Sequence, residues 1–410
     1  MTVSSTELRQ YMLVTGNYWA FTLTDGALRM LVVLHFHQLG YGPLAIAMLF
    51  LFYEFFGIVT NLVGGWLGAR IGLNRIMNIG LGLQVIALLM LTVPAEWLTI
   101  GWVMLAQALS GIAKDLNKMS AKSSVKQLTK LAGEGGESRL FRAVAVLTGS
   151  KNTLKGVGFF LGGALLGGFG FSGALWLMIA MLALVLLSSL VFLQKDLGRS
   201  KAKPKFSEMF STSAAVNWLS AARLFLFGAR DIWFVVALPV YLSQQFGWDH
   251  WQVGGFLASW VIAYGLVQVA APWLTGKKQG RVPGRAVAIS WVGLLTLIPA
   301  AIALALPWNP HWVLLAGLML FGICFAINSS LHSYLIISYA REEGTSMDVG
   351  FYYMANASGR LLGTLLSGGL FQVWGIEACL AGSAVMLLIA LLLTLKLPEY
   401  QGPVQSGFSL

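Results

Sequence analysis

Charge is what this sequence has least of. Only 10% of its 410 residues are Asp, Glu, Lys or Arg, against 57% hydrophobic residues, and its mean hydropathy is +0.74. That balance excludes an ordinary soluble enzyme, which carries about a quarter of its residues charged. Cysteine is nearly absent. Cys324 and Cys379 are the two, each within an apolar run, so there is no disulfide framework and no CxxC metal pair. Both read as buried packing residues. The five scattered histidines supply neither a nucleophile–base set nor a metal site, so a membrane-embedded enzyme finds no support. Acids are also scarce, 16 against 27 Lys plus Arg.

What is present instead is apolar length. Periodic apolar runs long enough to cross a bilayer fill the chain almost end to end. About twelve are legible, near 13–38, 43–69, 76–94, 98–121, 142–167, 172–193, 213–243, 251–275, 286–306, 311–338, 349–374 and 376–397. The first follows a polar segment with Glu7 and Arg9 and lacks a small-residue cleavage site, so it reads as a retained span. Most of the basic residues fall at the N-terminus, in alternate loops or at the C-terminal end, while the loops near Gly40, Ala95, Gly170, Gln245, Asn309 and Gly375 carry none. By the positive-inside rule both termini are cytoplasmic. This topological excess accounts for the pI near 9.7 and removes a nucleic-acid reading.

Eight cations remain inside the spans: Arg29, Lys114, Lys118, Lys151, Lys155, Arg223, Arg230 and Arg360. Asp25, Glu54, Asp115 and Asp231 oppose them, leaving four cations over. A lysine near the bilayer centre costs about 2.5–3.5 kcal/mol, so lipid-facing placement is disfavoured. Lys114, Lys118 and Lys122 recur every four residues and form one stripe on a continuing helix. Lys122, at the end of the stripe, is expected to snorkel into cytoplasm. Asp25 and Arg29 are placed at i,i+4 for pairing. Lys151 and Lys155 share a face with Asn152 alongside, Arg223 and Arg230 lie seven apart, and Asn328 and His332 share a face of span ten. His35 and His37 are expected at the external interface. The surplus calls for an anion, with arginine forks for phosphate-like oxygens and lysine point charges beside them.

Two patterns bear on architecture. The second half loosely repeats the first: Asp231 answers Asp25, Phe246-Gly247-Trp248 answers Leu39-Gly40-Tyr41, and Trp273-Leu274 answers Trp66-Leu67. Such a parallel repeat is a transporter signature. The segment Gly65-Trp-Leu-Gly-Ala-Arg70-Ile-Gly72 resembles the cytoplasmic loop motif of the major facilitator superfamily, although Ala69 stands where that family usually has aspartate. The expected fold is therefore an all-α polytopic membrane protein of about twelve transmembrane helices in two pseudo-repeated six-helix bundles of major facilitator type. Its expected parts are a first bundle at 1–193, a basic cytoplasmic linker at 194–212, a second bundle at 213–397 and a cytoplasmic tail at 398–410. GVGFFLGG within span five is packing sequence and not a phosphate cradle, since no strand precedes it.

NYWAFTLTDGALRMLVVLHFHQLGY, FLFYEFFGIVTNLVGGWLGA, SGIAKDLNKMSAKSS and LTGSKNTLKGVGFFLGG closely resemble the ArsJ-type organoarsenical efflux permeases. The resemblance runs through most of the chain and is sharpest in the first half. It implies export of 1-arseno-3-phosphoglycerate across the inner (plasma) membrane, conferring arsenate resistance. A glyceraldehyde-3-phosphate dehydrogenase is the implied functional partner, because it makes this acyl arsenate when arsenate replaces phosphate. The residues agree in sign: a cation-rich interior suits a substrate with an oxyanion at each end. An organophosphate or inorganic-phosphate exchanger fits the same interior, and a non-transporting sensor is a third reading.

The expected substrate-binding set is thus Arg29, Lys114, Lys118, Lys151, Lys155, Arg223, Arg230, Arg360, Asn152 and Asn328. It is divided as a two-ended clamp between the first-half lysines and the second-half arginines. Glu54, Asp25, Asp231 and His332 are the coupling candidates, with Glu54 first; proton antiport and uniport both stay open. No cofactor or metal is expected, and a monomer is.

Overall fold

The computed structural model describes residues 5–41, 49–130, 136–193, 210–211, 213–248, 250–275, 283–341 and 344–399. These form eleven α-helices and a 3-10 turn at Ala95–Trp97, without a strand among the described residues. In chain order the helices are α1 (Ser5–Gln38), α2 (Leu51–Ile71), α3 (Leu73–Met90), α4 (Ile100–Lys130), α5 (Gly136–Phe192), α6 (Ala214–Phe234), α7 (Ala237–Phe246), α8 (His250–Leu274), α9 (Arg285–Ala305), α10 (Pro310–Tyr339) and α11 (Thr345–Thr394). Helix suits this composition because hydrocarbon offers no partners to backbone N–H and C=O groups. Most of the expected linker and tail, and the loop lysines at 201–205 and 277–278, lie outside the described residues.

Two helices are too long to be single spans. α5 has 57 residues and α11 has 50, about 85 and 75 Å at 1.5 Å per residue, against a hydrocarbon core of about 30 Å. Each is broken at one glycine, Gly170 (φ 68°, ψ −179°) and Gly375 (φ 77°, ψ −168°). Positive φ suits glycine because it has no Cβ. The chain reverses there. Before the break Trp19 of α1 donates to Ser150 and Gly26 packs on Gly158. At the break His35 stacks on Phe171, and beyond it Asn17 donates to Ser189 and Gln10 to the Phe192 carbonyl.

With these two reversals, and α6 and α7 forming one broken span, the described helices make twelve crossings. The external turns expected near Gly170 and Gly375 are thus reversals. Gly40 (φ 85°) and Gly247 (φ 67°) stand 207 residues apart, and Gly170 and Gly375 stand 205 apart. The internal repeat is therefore also a repeat of backbone conformation.

Seven membrane-length segments are apolar enough to cross a bilayer on composition alone. Helices α1, α2 and α4 are not among them, and these carry Asp25 and Arg29, Glu54, and the lysine stripe. The two halves of the chain meet tightly near the basic-loop end. A Cβ on Gly65 of α2 would lie 2.5 Å from the Ser346 carbonyl of α11, and one on Gly149 of α5 would lie 2.5 Å from the Gly265 carbonyl of α8. Phe141 also packs on Tyr334 there, with ring centroids 4.9 Å apart. Such close backbone approach is how membrane helices gain packing without a hydrophobic driving force.

Candidate functional site

The charged residues of six helices converge on the seam between the halves. Arg29 of α1 and Arg360 of α11 both donate to Glu54 Oε1, at 3.2 and 2.7 Å, and Lys114 of α4 stands 3.9 Å from Glu54 Oε2. Arg360 also donates through Nε to Asp231 of α6 at 3.1 Å, where Arg230 binds the other carboxylate oxygen at 2.6 Å. Arg360 therefore straps Glu54 of the first half to Asp231 of the second. Asp25 pairs with Lys155 of α5 at 3.7 Å and accepts a 2.5 Å hydrogen bond from Tyr53. Asp115 holds Lys118 in a short contact and faces Lys114 at 3.6 Å.

The sequence places Asp25 opposite Arg29, one turn apart, but the two do not bond each other. Arg29 reaches across to Glu54 and lies over the rings of Phe50 and Tyr53. Cross-helix partners win because a buried carboxylate is stabilised by several donors converging from different directions. Lys122 departs further from expectation. It does not snorkel: it is 3% exposed, its Nζ donates to Ser333 Oγ of α10 at 3.4 Å, and it lies over the Tyr353 ring. Apart from the Arg341–Asp348 pair at the basic-loop end, the described interior thus holds nine cations against four carboxylates. α4 stays inside the seam for another turn because α10 and α11 cover it, and no hydropathy count sees that cover.

Exposure grades along the seam. Side chains of Arg29, Glu54, Arg360 and Lys155 are between 19 and 29% exposed, whereas Asp115, Lys122, Arg223 and Asp231 are almost wholly covered. The ion-paired cluster is thus the less covered part of the seam, and the more fully covered cations lie toward the basic-loop end, where the halves are joined. Asn152 does not face this cluster alone; it bonds Gln268 of α8 across the halves, and Gln268 in turn donates to Tyr264. Asn328 is turned away, its amide donating to the Trp291 and Cys324 carbonyls at 2.9 Å. His332 is buried.

Asp25–Lys155 and Asp231–Arg360 are the same interaction in the two halves, displaced by 206 and 205 residues. A Cβ on Gly158 would stand 2.5 Å from the Leu23 carbonyl, and one on Gly363 would stand 2.6 Å from the Gly228 carbonyl, so the flanking helix contacts repeat as well. The sequence profile of the Major Facilitator Superfamily matches residues 14–347 and 284–409. The chain belongs to this superfamily.

Solved major-facilitator structures superpose along nearly the full length. The human organic anion transporter MFSD10 (TETRAN) matches with a TM-score of 0.72 at 16% identity, covering 95% of this chain and 99% of that one. A bacterial homologue of the iron transporter ferroportin, in an outward-facing state, gives 0.74 at 15% identity with the same coverages. The E. coli fucose:proton symporter FucP gives 0.71 at 13%, covering 95% and 98%. At these identities the likeness is one of fold. No curated protein sequence matches the chain. The protein is accordingly a multi-pass membrane secondary transporter of major-facilitator fold.

Several residues of this site carry no charge and escaped the sequence reading. Tyr53 binds Asp25 and lies 3.8 Å beneath Lys114 Nζ; Asn356 orients Arg223 at 2.9 Å; Tyr353 lies under Lys118 and Lys122. Their signal was available in part. Tyr53 adjoins Glu54, and Tyr352-Tyr353 and Asn356 occupy the two turns before Arg360.

Proposed function

We propose that this transporter exports a small, multiply charged organic anion, and that it is an ArsJ-type permease whose substrate is 1-arseno-3-phosphoglycerate. One observation carries the reading: apart from the Arg341–Asp348 pair at the basic-loop end, the described seam holds nine cations and four carboxylates. Each charge taken from water costs about 2.5–3.5 kcal/mol near mid-membrane. A carrier of cations would be expected to show the opposite surplus. A substrate with an oxyanion at each end supplies the missing negative charge, and arginine forks bind such groups in two places at once.

The transport cycle follows from the two-bundle architecture. With the basic-loop end cytoplasmic, the tight contacts there close the site inward in this reading, and an exported anion would leave on the opposite side. Loading requires Gly65–Ser346 and Gly149–Gly265 to part, as rocking of one bundle against the other would bring about. On entry the anion competes with Glu54 and Asp25 for Arg360, Arg29 and Lys155, so these carboxylates serve as resident counter-ions between cycles. Supply comes from a glyceraldehyde-3-phosphate dehydrogenase acting on arsenate, and the acyl arsenate breaks down outside and releases arsenate. The carrier works as a monomer in the inner membrane.

Flux in everted vesicles with freshly generated acyl arsenate, with and without a proton gradient, is the test. Saturable uptake of the acyl arsenate is expected. Transport of 3-phosphoglycerate or inorganic phosphate in its place would instead make the protein an organophosphate or phosphate exchanger.

A further inference from the structure

We propose that Lys122, Lys151 and Arg223 form an oxyanion subsite of their own, one layer nearer the basic-loop end than the ion-paired cluster, which takes a tetrahedral phosphate- or arsenate-type group. This deepens the export reading and rests on it.

The first ground is charge. Lys122 and Arg223 are each 3% exposed, and Lys151 is partly exposed. Among the described residues these three make no ion pair, whereas Arg29, Lys114, Lys118, Lys155, Arg230 and Arg360 all do. Their electrostatic neighbours are other cations. Lys122 is within reach of Arg223, Lys151 and Lys118; Lys151 is within reach of Lys118, Lys155, Lys114 and Arg360. Buried cations facing one another weaken a fold, and apolar side chains of like volume would serve packing better. A ligand that brings the countercharge accounts for them.

The second ground is a set of donors held in place and not used up. Arg223 gives Nε–H to Asn356 Oδ1 at 2.9 Å and one Nη1–H to the Ser329 carbonyl at 3.4 Å. Phe227 covers its face at 3.8 Å. The plane of the guanidinium is therefore fixed while three of its five N–H groups stay available. Lys122 spends one N–H on Ser333. Next to Ser333, His332 is buried with Nδ1 lacking a hydrogen-bond partner among the described residues, and it too is within electrostatic reach of Arg223. A buried polar atom left unmatched calls for a partner, here one that arrives with the substrate.

The third ground is spacing. Lys122 lies four and eight residues beyond Lys118 and Lys114, Lys151 four before Lys155, and Arg223 seven before Arg230, which is about 6–12 Å of helix rise. A three-carbon backbone with an oxyanion at each end separates the two central atoms by six bonds, about 7 Å at roughly 1.2 Å of extension per bond. One group fits the carboxylate-free trio while the other exchanges with Glu54 and Asp25 at Arg360 and Lys155. The clamp then divides by depth in the membrane, and both halves of the chain contribute to each end. From sequence the division falls between the halves.

The test uses the purified full chain in nanodiscs, with 3-phosphoglycerate and inorganic phosphate as probes and the thermal midpoint as readout. Both probes should raise the midpoint of the parental protein. Lys122→Met and Lys151→Met should each raise the midpoint without ligand, since a self-repelling charge is gone, and should weaken probe binding about ten- to hundred-fold. Lys151→Arg keeps the charge and should retain the ligand-induced rise. A parental midpoint that neither probe moves, or methionine variants that keep the parental dose-response, would overturn the subsite. Failure of the export reading looks different: parental vesicles would carry no acyl arsenate whatever the probes do.

Discussion

Among the described residues Arg360 is the one side chain that bonds a carboxylate in each half, so its loss is the perturbation with the clearest expected size. At about 4 Å between charge centres and an effective dielectric near 20, each contact is worth about 4 kcal/mol of Coulomb energy before desolvation. Removing one partner of a buried pair costs about 3–5 kcal/mol. Both orphaned carboxylates keep other donors, however. Glu54 retains Arg29 and Lys114, and Asp231 retains Arg230. Glu54 and Arg360 are also 21 and 25% exposed, so water screens part of the loss. Arg360→Gln should therefore cost about 2 kcal/mol of stability. Glu54→Gln, which strips a shared counter-ion from three cations, should cost about 3 kcal/mol on the same grounds.

The Glu54→Gln/Arg360→Gln double variant should be less damaged than the sum of the two, by about 1–2 kcal/mol, because the second change removes what the first left unpaired. Chemical unfolding in detergent of the four proteins completes the cycle, with acyl arsenate flux measured on the same preparations. Additivity within about 0.5 kcal/mol would mean that the strap is not made. Parental flux in Arg360→Gln would remove the residue from the site. Arg360→Lys should recover flux only in part, because one ammonium cannot bond Glu54 and Asp231 as a fork does.

Gly65→Val should block closure at the basic-loop end, where even a Cβ would stand 2.5 Å from the Ser346 carbonyl; spin-label distances between the halves should lengthen there, and an unchanged distribution refutes the seal. Asp25→Asn and Asp231→Asn should act alike, each lowering export several-fold, since the repeat gives both the same task; an effect confined to one would show that the halves have diverged in role. Single cysteines at Ala95, Gly170 and Asn309 should react with an impermeant reagent from outside and one at Ser200 only from inside, and external labelling of Ser200 would reverse the topology.

How far the sequence reached depended on how local the physics was. Twelve spans, the two-half repeat and the reversals at Gly170 and Gly375 were all legible, because apolar length and glycine placement act within one segment. So was the surplus of interior cations, since no lipid-facing position tolerates them. Partner choice was not legible. Whether Arg29 bonds Asp25 one turn away or Glu54 on the next helix depends on how two spans are rotated against each other, and composition does not encode that rotation. The same holds for Lys122, which reads as a helix-end cation until α10 and α11 are seen to cover it. Asn328 shows the reverse case: its polarity in an apolar span drew it into the expected site, yet its amide bonds the Trp291 carbonyl and its own helix. The chain alone determined that charge must be buried and of which sign. Only the packing of six helices around one seam decided which cations are neutralised and which three make no ion pair among the described residues, because pairing is a matter of a few ångströms between residues up to 306 positions apart.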